Sequence, residues 1–358
     1  MTALFAGGSI CLSAFLLFQL QPMVAKAILP WFGGSAAVWG TCLMFFQVLL
    51  FLGYLYAYWL TKAVPARKQL WIHGALLLAS VFVLPVLPGD SWKPSGDEEP
   101  IGRIALMLAA TVGLPYFLLS STSPLIQSWY ARTQGTLPYR YFALSNAASL
   151  AALLGYPVLV EPNVALRTQG WIWSAGYVAY AGLCCWSAYW GSRADVAVAV
   201  PETGQDEHAV TVIGPAPAWK DRVLWMLLAG LASVLSLSVT NHLSQNVAPI
   251  PMLWVLPLAV YLITFIVCFE SDRWYTHLRG SILQGVALVG MGYLLKMQTP
   301  ETNIRLVVPA LLAGLFGCCL FFHGELALRR PSSAYLTEFY LMIALGGALG
   351  AMAVGLVA

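Results

Sequence analysis

The residues that could take part in chemistry are few, and most lie inside long apolar runs. Lys26 stands in QLQPMVAKAILPWFGG, with Gln19, Gln21 and Pro22 just before it. A lysine at the centre of a membrane helix costs about 2.5–3.5 kcal/mol on insertion scales, unless it snorkels to the interface or faces a cavity. Both readings are open for Lys26. Pro22 removes a backbone donor and bends the helix, and a bent, amide-bearing helix favours a cavity lining. Trp39 and Gln47 are eight residues apart and share a helix face. An aromatic ring and an amide on one face line a binding cavity or join two helices.

Further on, Ser120-Ser121-Thr122-Ser123 lies between Pro115 and Pro124, with Gln127 following. Such hydroxyls satisfy carbonyls freed by proline, or they coordinate a substrate. Asn146 and Ser149 polarise one face of a later segment. Asn241, His242 and Gln245 are three polar groups within five residues, suited to packing, to substrate contact or to a proton-linked switch. His323, Glu325 and Glu338 flank a basic loop; Glu325 before Arg329-Arg330 reads as a surface ion pair. Glu338, in YLTEFYL, is the acid best placed to contact a cation.

What is missing bounds the chemistry as firmly. The seven cysteines all lie in apolar stretches with no CxxC or Cys/His ligand spacing, which reads as small apolar packing rather than a metal site. No Ser-His-Asp arrangement can be placed. Gly346, Gly347 and Gly350 follow no strand, so they read as a helix-packing GxxxG rather than a phosphate loop. The expectation is therefore non-covalent binding, with no catalytic residue, no metal and no cofactor.

These residues must be positioned by membrane helices. Hydrophobic residues make up 59% and charged residues 9% of 358, with a mean hydropathy of +0.75. A soluble domain carries about 25% charged residues, so most of this surface must face lipid. Net charge is only +3, and no basic run interleaved with aromatics points to nucleic acid. Runs of roughly 20 apolar residues, the length that spans a bilayer, occur near 3–29, 35–61, 69–88, 102–128, 140–160, 169–192, 221–245, 251–269, 277–296, 304–326 and 335–357. Met1 opens directly into the first without a basic start, so it reads as a retained helix and not a signal peptide.

The polar stretch 193–220 divides about eleven helices into six (1–192) and five (221–358). Twelve Lys and Arg flank the even-numbered connections, against five at the odd-numbered ones. By the positive-inside rule this places the N-terminus and the 193–220 linker in the cytoplasm, and the chain in the inner membrane as a multi-pass protein. Faint internal likeness links Ala37-Val38-Trp39 to Met252-Leu253-Trp254, and Tyr141 to Tyr340. A parallel duplication of a six-helix unit gives such a pattern, and it builds transporters with a cavity between halves. On that scheme the second half is incomplete, and a twelfth helix is expected after Ala358.

LLFQLQPMVAKAILPWFGGSAAVWGTCLMFFQVLLFLGYLYAY closely resembles the opening of the membrane-embedded, fused major-facilitator/spermidine-synthase-like proteins of bacteria. LPYFLLSSTSPLIQSWYA, LSNAASLAALLGYPVLVEP, PMLWVLPLAVYLITFIVCF and HGELALRRPSSAYLTEFYLMIALGGALG continue the resemblance in order. It implies an all-α, major-facilitator-like membrane portion. In the family that portion is followed by a Rossmann-like aminopropyl- or methyl-transferase domain with an adenosyl-methionine-type cofactor. No segment here matches that domain. Gln21, Lys26, Trp39, Asn146, His323, Glu325 and Glu338 fall within the shared motifs, and no catalytic role transfers with them.

The resemblance implies a transporter-like module that binds or moves a polyamine or related small metabolite. The alternative is the membrane anchor of a spermidine-synthase-like transferase encoded beyond this chain or separately. The candidate substrate contacts are Gln21, Lys26, Trp39, Gln47, Asn146, Asn241, His242 and Glu338. The expected partners are the lipid bilayer, a small-molecule substrate and a separate synthase domain, with no nucleic acid.

Overall fold

The computed structural model describes residues 3–33, 36–94, 100–134, 140–193, 216–246, 254–271, 273–297 and 304–357. The expected linker at 193–220 lies almost wholly outside them, as do Asp97, Glu98 and Glu99; of the side chains of Trp39 and Gln245 nothing is described.

In lipid every backbone amide must be satisfied within its own segment, and all regular structure among the described residues is helical. The first half comprises α1 (Ala3–Phe32), α2 (Ala36–Ala63), α3 (Ala66–Val81), α4 (Pro100–Leu108), α5 (Leu114–Gln134), α6 (Arg140–Gly155) and α7 (Leu166–Arg193). A π turn, Ala109–Gly113, joins α4 and α5 into one span, and a second, Tyr156–Val160, prolongs α6. The second half comprises α8 (Trp219–Asn246), α9 (Val255–Glu270), α10 (His277–Met297), α11 (Ile304–Leu328) and α12 (Leu336–Val357). Eight described helices are long and apolar enough to cross a membrane, and α9 is a shorter apolar helix. Helix α3 ends at Val81 rather than near residue 88, because Pro85 and Pro88 disfavour helical geometry in the residues before them.

The helices pack in a repeated scheme. In the first half α1 lies against α6 and α5, and α2 against α5; in the second, α8 lies against α12 and α11, and α9 against α11. Between halves the contacts are reciprocal: α2 packs on α12, and α6 on α9. Trp39 and Trp254 stand at the start of the corresponding helices α2 and α9, and Tyr141 and Tyr340 near the start of α6 and α12. That is the arrangement a parallel duplication produces. Since α7 ends and α8 begins on one side of the bundle, that side is termed the linker end and the other the far end.

Lipid supplies no hydrophobic drive between helices, so close contact rests on small residues and buried hydrogen bonds. The GxxxG pair of α12 works this way. A Cβ on Gly346 would lie 2.1 Å from the Met226 carbonyl oxygen, and one on Gly350 would lie 2.7 Å from the Gly230 carbonyl oxygen. Both obstacles are backbone and cannot swing aside. Ser233 Oγ also donates to the Gly347 carbonyl at 3.1 Å. We expect Gly346→Ala to destabilise the folded protein by about 1–3 kcal/mol, the usual cost of overpacking. Gly355→Ala, with open space around it, should leave thermal unfolding in detergent unchanged.

Candidate functional site

Some polar groups of the interior pair within the first half, and others meet across the two halves. On α1, Gln21 donates through Nε2 to the Tyr116 hydroxyl at 3.0 Å. The π turn just before α5 shifts the helix register next to Tyr116, and Phe46 of α2 packs on its ring with centroids 4.8 Å apart. Gln47, the next residue on α2, lies with Oε1 towards Gly347 of α12, 3.9 Å from where a Cβ on that glycine would stand. Gln47 thus approaches the seam from the first half, whereas the Gln21–Tyr116 pair lies within that half, near mid-depth of its helices.

Toward the linker end the seam is closed by aromatic rings. Tyr340 of α12 stacks on Phe142 of α6, with centroids 5.0 Å apart and planes 12° from parallel. Tyr54 of α2 meets Tyr340 edge-on at 6.4 Å, and Phe265 and Phe269 of α9 pack on Phe142 at 5.3 and 4.7 Å. Tyr340 donates its hydroxyl to Gln127 Oε1 at 2.9 Å, and Gln127 Nε2 donates to Ser123 Oγ at 2.9 Å. The phenylalanine rings exclude water, and Tyr340 adds a polar tip whose hydroxyl is satisfied by the buried Gln127. Outside the rings, Arg140 of α6 pairs with Glu270 of α9 across the halves at 2.5 Å, and Lys62 of α2 reaches the Ala334 carbonyl at 3.4 Å.

The second half carries a buried charged cluster that short sequence patterns do not reveal. Glu325 of α11 is 3% exposed; it accepts from the Tyr275 hydroxyl at 2.6 Å, lies 2.7 Å from His277 Nδ1, and pairs with Arg329. The surface ion pair expected for Glu325 and Arg329 is thus corrected: the arginine is half-exposed, but the carboxylate is buried. Two residues earlier on α11, His323 is fully buried, stacked on Phe265 with centroids 3.6 Å apart, and its Nδ1 shares a hydrogen bond with Thr264 Oγ1 at 2.8 Å. His323 Nε2 has no partner. In the first half a comparable buried chain runs from Tyr56 through His73 to Cys184, with contacts of 3.2 and 3.4 Å. His73 carries no sequence signal beyond its being a histidine in a weakly apolar helix.

The structure brings together only some of the expected contacts. Gln47 lies beside Gly347 of α12, and Gln21 pairs with Tyr116 inside the first half. Asn146 turns back on its own helix, donating to the Phe142 carbonyl at 2.8 Å, one turn beyond the aromatic closure. Asn241 and His242 are half-buried near the far end of α8. Lys26 pairs with Glu161 at 3.1 Å, also at the far end, with both side chains about one-third exposed or more; it neither snorkels alone nor lines the seam. Glu338 sits at the linker end and takes Arg222 at 2.6 Å, so the cation it contacts is the protein's own. Tyr116, Gln127 and Tyr340 are the interior residues that sequence reasoning did not single out as contacts. Their signal was the proline-flanked hydroxyl run beside Tyr116 and Gln127, and the small-residue run after Tyr340.

No family model matches the chain, and no curated protein matches it. Among solved structures it is similar to a bacterial homologue of the iron transporter ferroportin in an outward-facing state. The likeness covers 98% of this chain and 91% of that one, with a TM-score of 0.59 and 16% identity. At that identity the likeness is one of fold. The chain is a polytopic all-α membrane protein of major-facilitator-like, six-plus-five arrangement, and the comparisons carry no sign of a spermidine-synthase-like fusion.

Replacing Glu325 by Ala leaves the buried Tyr275 hydroxyl without its acceptor and Arg329 without its counter-charge. An unsatisfied buried group costs about 1–3 kcal/mol, so thermal unfolding of the variant should fall by that amount. Asp90, whose pair with Lys93 is largely exposed, should tolerate Asp90→Asn within about 0.5 kcal/mol in the same assay.

Proposed function

We propose that this chain is a multi-pass transporter of the inner membrane that moves a small organic molecule between its two halves, residues 1–192 and 221–358. The reciprocal seam supports this reading: α2 on α12 and α6 on α9 form two matched hinges about which the halves can rock. The Lys and Arg distribution supports a cytoplasmic N-terminus and linker. The aromatic closure then lies on the cytoplasmic side, and the far end is the one that opens outward, in keeping with the outward-facing state of the ferroportin homologue.

The interior favours a neutral or weakly polar substrate over a cation. Among the described residues every acid is already held. Glu161, Glu270, Glu325, Glu338 and Asp90 are in ion pairs, and Asp221 accepts from its own helix start. A polyamine needs several carboxylates or open aromatic faces, so the polyamine reading draws support from the sequence resemblance alone. The same holds for the synthase-anchor alternative. The described residues also contain no group of three or more His, Cys, Asp or Glu that would hold a metal ion. The interior offers amides and a phenol instead, from Gln47 beside α12 and from the Gln21–Tyr116 pair within the first half, which suit hydrogen-bonding groups on an organic molecule with an apolar body.

Uptake into proteoliposomes, screened over neutral metabolites with polyamines and ferrous iron alongside, tests the proposal. For the molecule that is taken up, Gln21→Ala and Tyr116→Phe should each lower transport roughly 5–10-fold, the worth of one hydrogen bond. Gln21→Ala, which leaves the buried Tyr116 hydroxyl unpaired, should also lower the unfolding temperature more than Tyr116→Phe, which removes that hydroxyl. Tyr340→Ala should open the closed end, so that a cysteine placed beside it becomes labelled from the linker side. Transport of a polyamine or iron that is indifferent to Gln21 and Tyr116 would overturn the substrate reading, and no transport of any kind would overturn the function.

A further inference from the structure

The linker end holds a pocket that plays no part in the substrate route above. It encloses about 250 Å³ between α2 and α5 of the first half and the start of α12 in the second, and its polar lining is Thr61, Lys62, Ser128, Arg132 and Thr337. That volume lies below the roughly 300–1,000 Å³ of a drug-sized site, which leaves room for one compact group. Both charged residues of the lining are cations. Lys62 contacts the Ala334 carbonyl at 3.4 Å and the Tyr335 ring at 5.6 Å, with no carboxylate in either contact. Arg132 gives Nη2 to Gln69 Oε1 at 2.7 Å, while its Nε is buried without a partner.

The third wall is the first turn of α12, which continues a 3₁₀ turn at Ser333–Tyr335; Leu336 and Thr337 of that first turn line the pocket. Glu338, the acid closest along that helix, is held by Arg222 at 2.6 Å. Two cations with no carboxylate partner among the described residues and three hydroxyls converge on one small cavity. We infer that this pocket binds a phosphate-bearing anion, held by the Arg132 fork, the Lys62 ammonium and the first turn of α12. Because Lys62 and Arg132 belong to one half and α12 to the other, the anion bridges the halves at their closed end. Two sources carry this chemistry: free phosphate or a small phosphomonoester, and the headgroup of a phospholipid.

The test uses the full chain. In delipidated detergent solution, thermal unfolding is followed while sodium phosphate is added, against sodium chloride at matched ionic strength. In parallel, the chain is released from nanodiscs of phosphatidylglycerol and phosphatidylcholine and weighed by native mass spectrometry. A free-anion site gives a phosphate-specific rise in the unfolding midpoint; a lipid site gives a retained phosphatidylglycerol adduct. Either signal should weaken about ten-fold or more in Lys62→Gln and in Arg132→Gln, since each removes a charge-assisted contact. Lys62→Arg, which keeps the charge, should retain it and so separate lost binding from lost folding. Neither signal in the wild type, or a signal unchanged by both neutralising variants, overturns the assignment.

Discussion

Tyr340 ties the two halves together, and much of the interior is arranged around it. Its ring stacks on Phe142 from α6, its edge meets Tyr54 from α2, and its hydroxyl is held by Gln127 from α5. Three helices of the first half therefore converge on one side chain of the second. A phenol suits this place because its ring excludes water while its tip satisfies a buried amide. In a medium where apolar surface gains nothing by leaving lipid, such combined contacts and backbone-close glycines carry the association of helices. Gly346 and Gly350, in the same helix as Tyr340, bring α12 against α8 and so fix where the tyrosine stands.

Charge is handled by a second rule. The acids described in the structure sit near helix ends, and each has a partner. Lys26 and Glu161 meet at the far end, while Arg140–Glu270 and Arg222–Glu338 lie at the linker end. Half-exposed pairs of this kind add little stability, but they fix the register of one helix against another without charge inside the apolar layer. Glu325 is the exception, because its carboxylate is buried. It needs three partners, Tyr275, His277 and Arg329, to offset the loss of water. With the described acids so committed, the other polar groups of the interior are amides, phenols, hydroxyls and the buried His73 and His323.

How much of this was legible in advance depends on distance along the chain. The number and approximate limits of the helices follow from composition, because a segment crossing lipid must be long, apolar and internally bonded. The GxxxG pair of α12 was legible for a similar reason: its spacing places two small residues on one helix face. Sequence alone also marked Gln21, Gln47, Lys26 and Glu338 as polar groups that needed an explanation. Which explanation applied to each was decided by partners far along the chain. Lys26 meets Glu161, 135 residues away, and Glu338 meets Arg222, 116 residues away. The closure at Gln127 and Tyr340 spans 213 residues. Period and propensity act within a few turns of one helix, whereas these pairings are set by how the two halves dock. Only the tertiary structure could separate an internal amide–phenol pair such as Gln21 with Tyr116 from an end-of-helix ion pair such as Lys26 with Glu161, five residues later on the same helix.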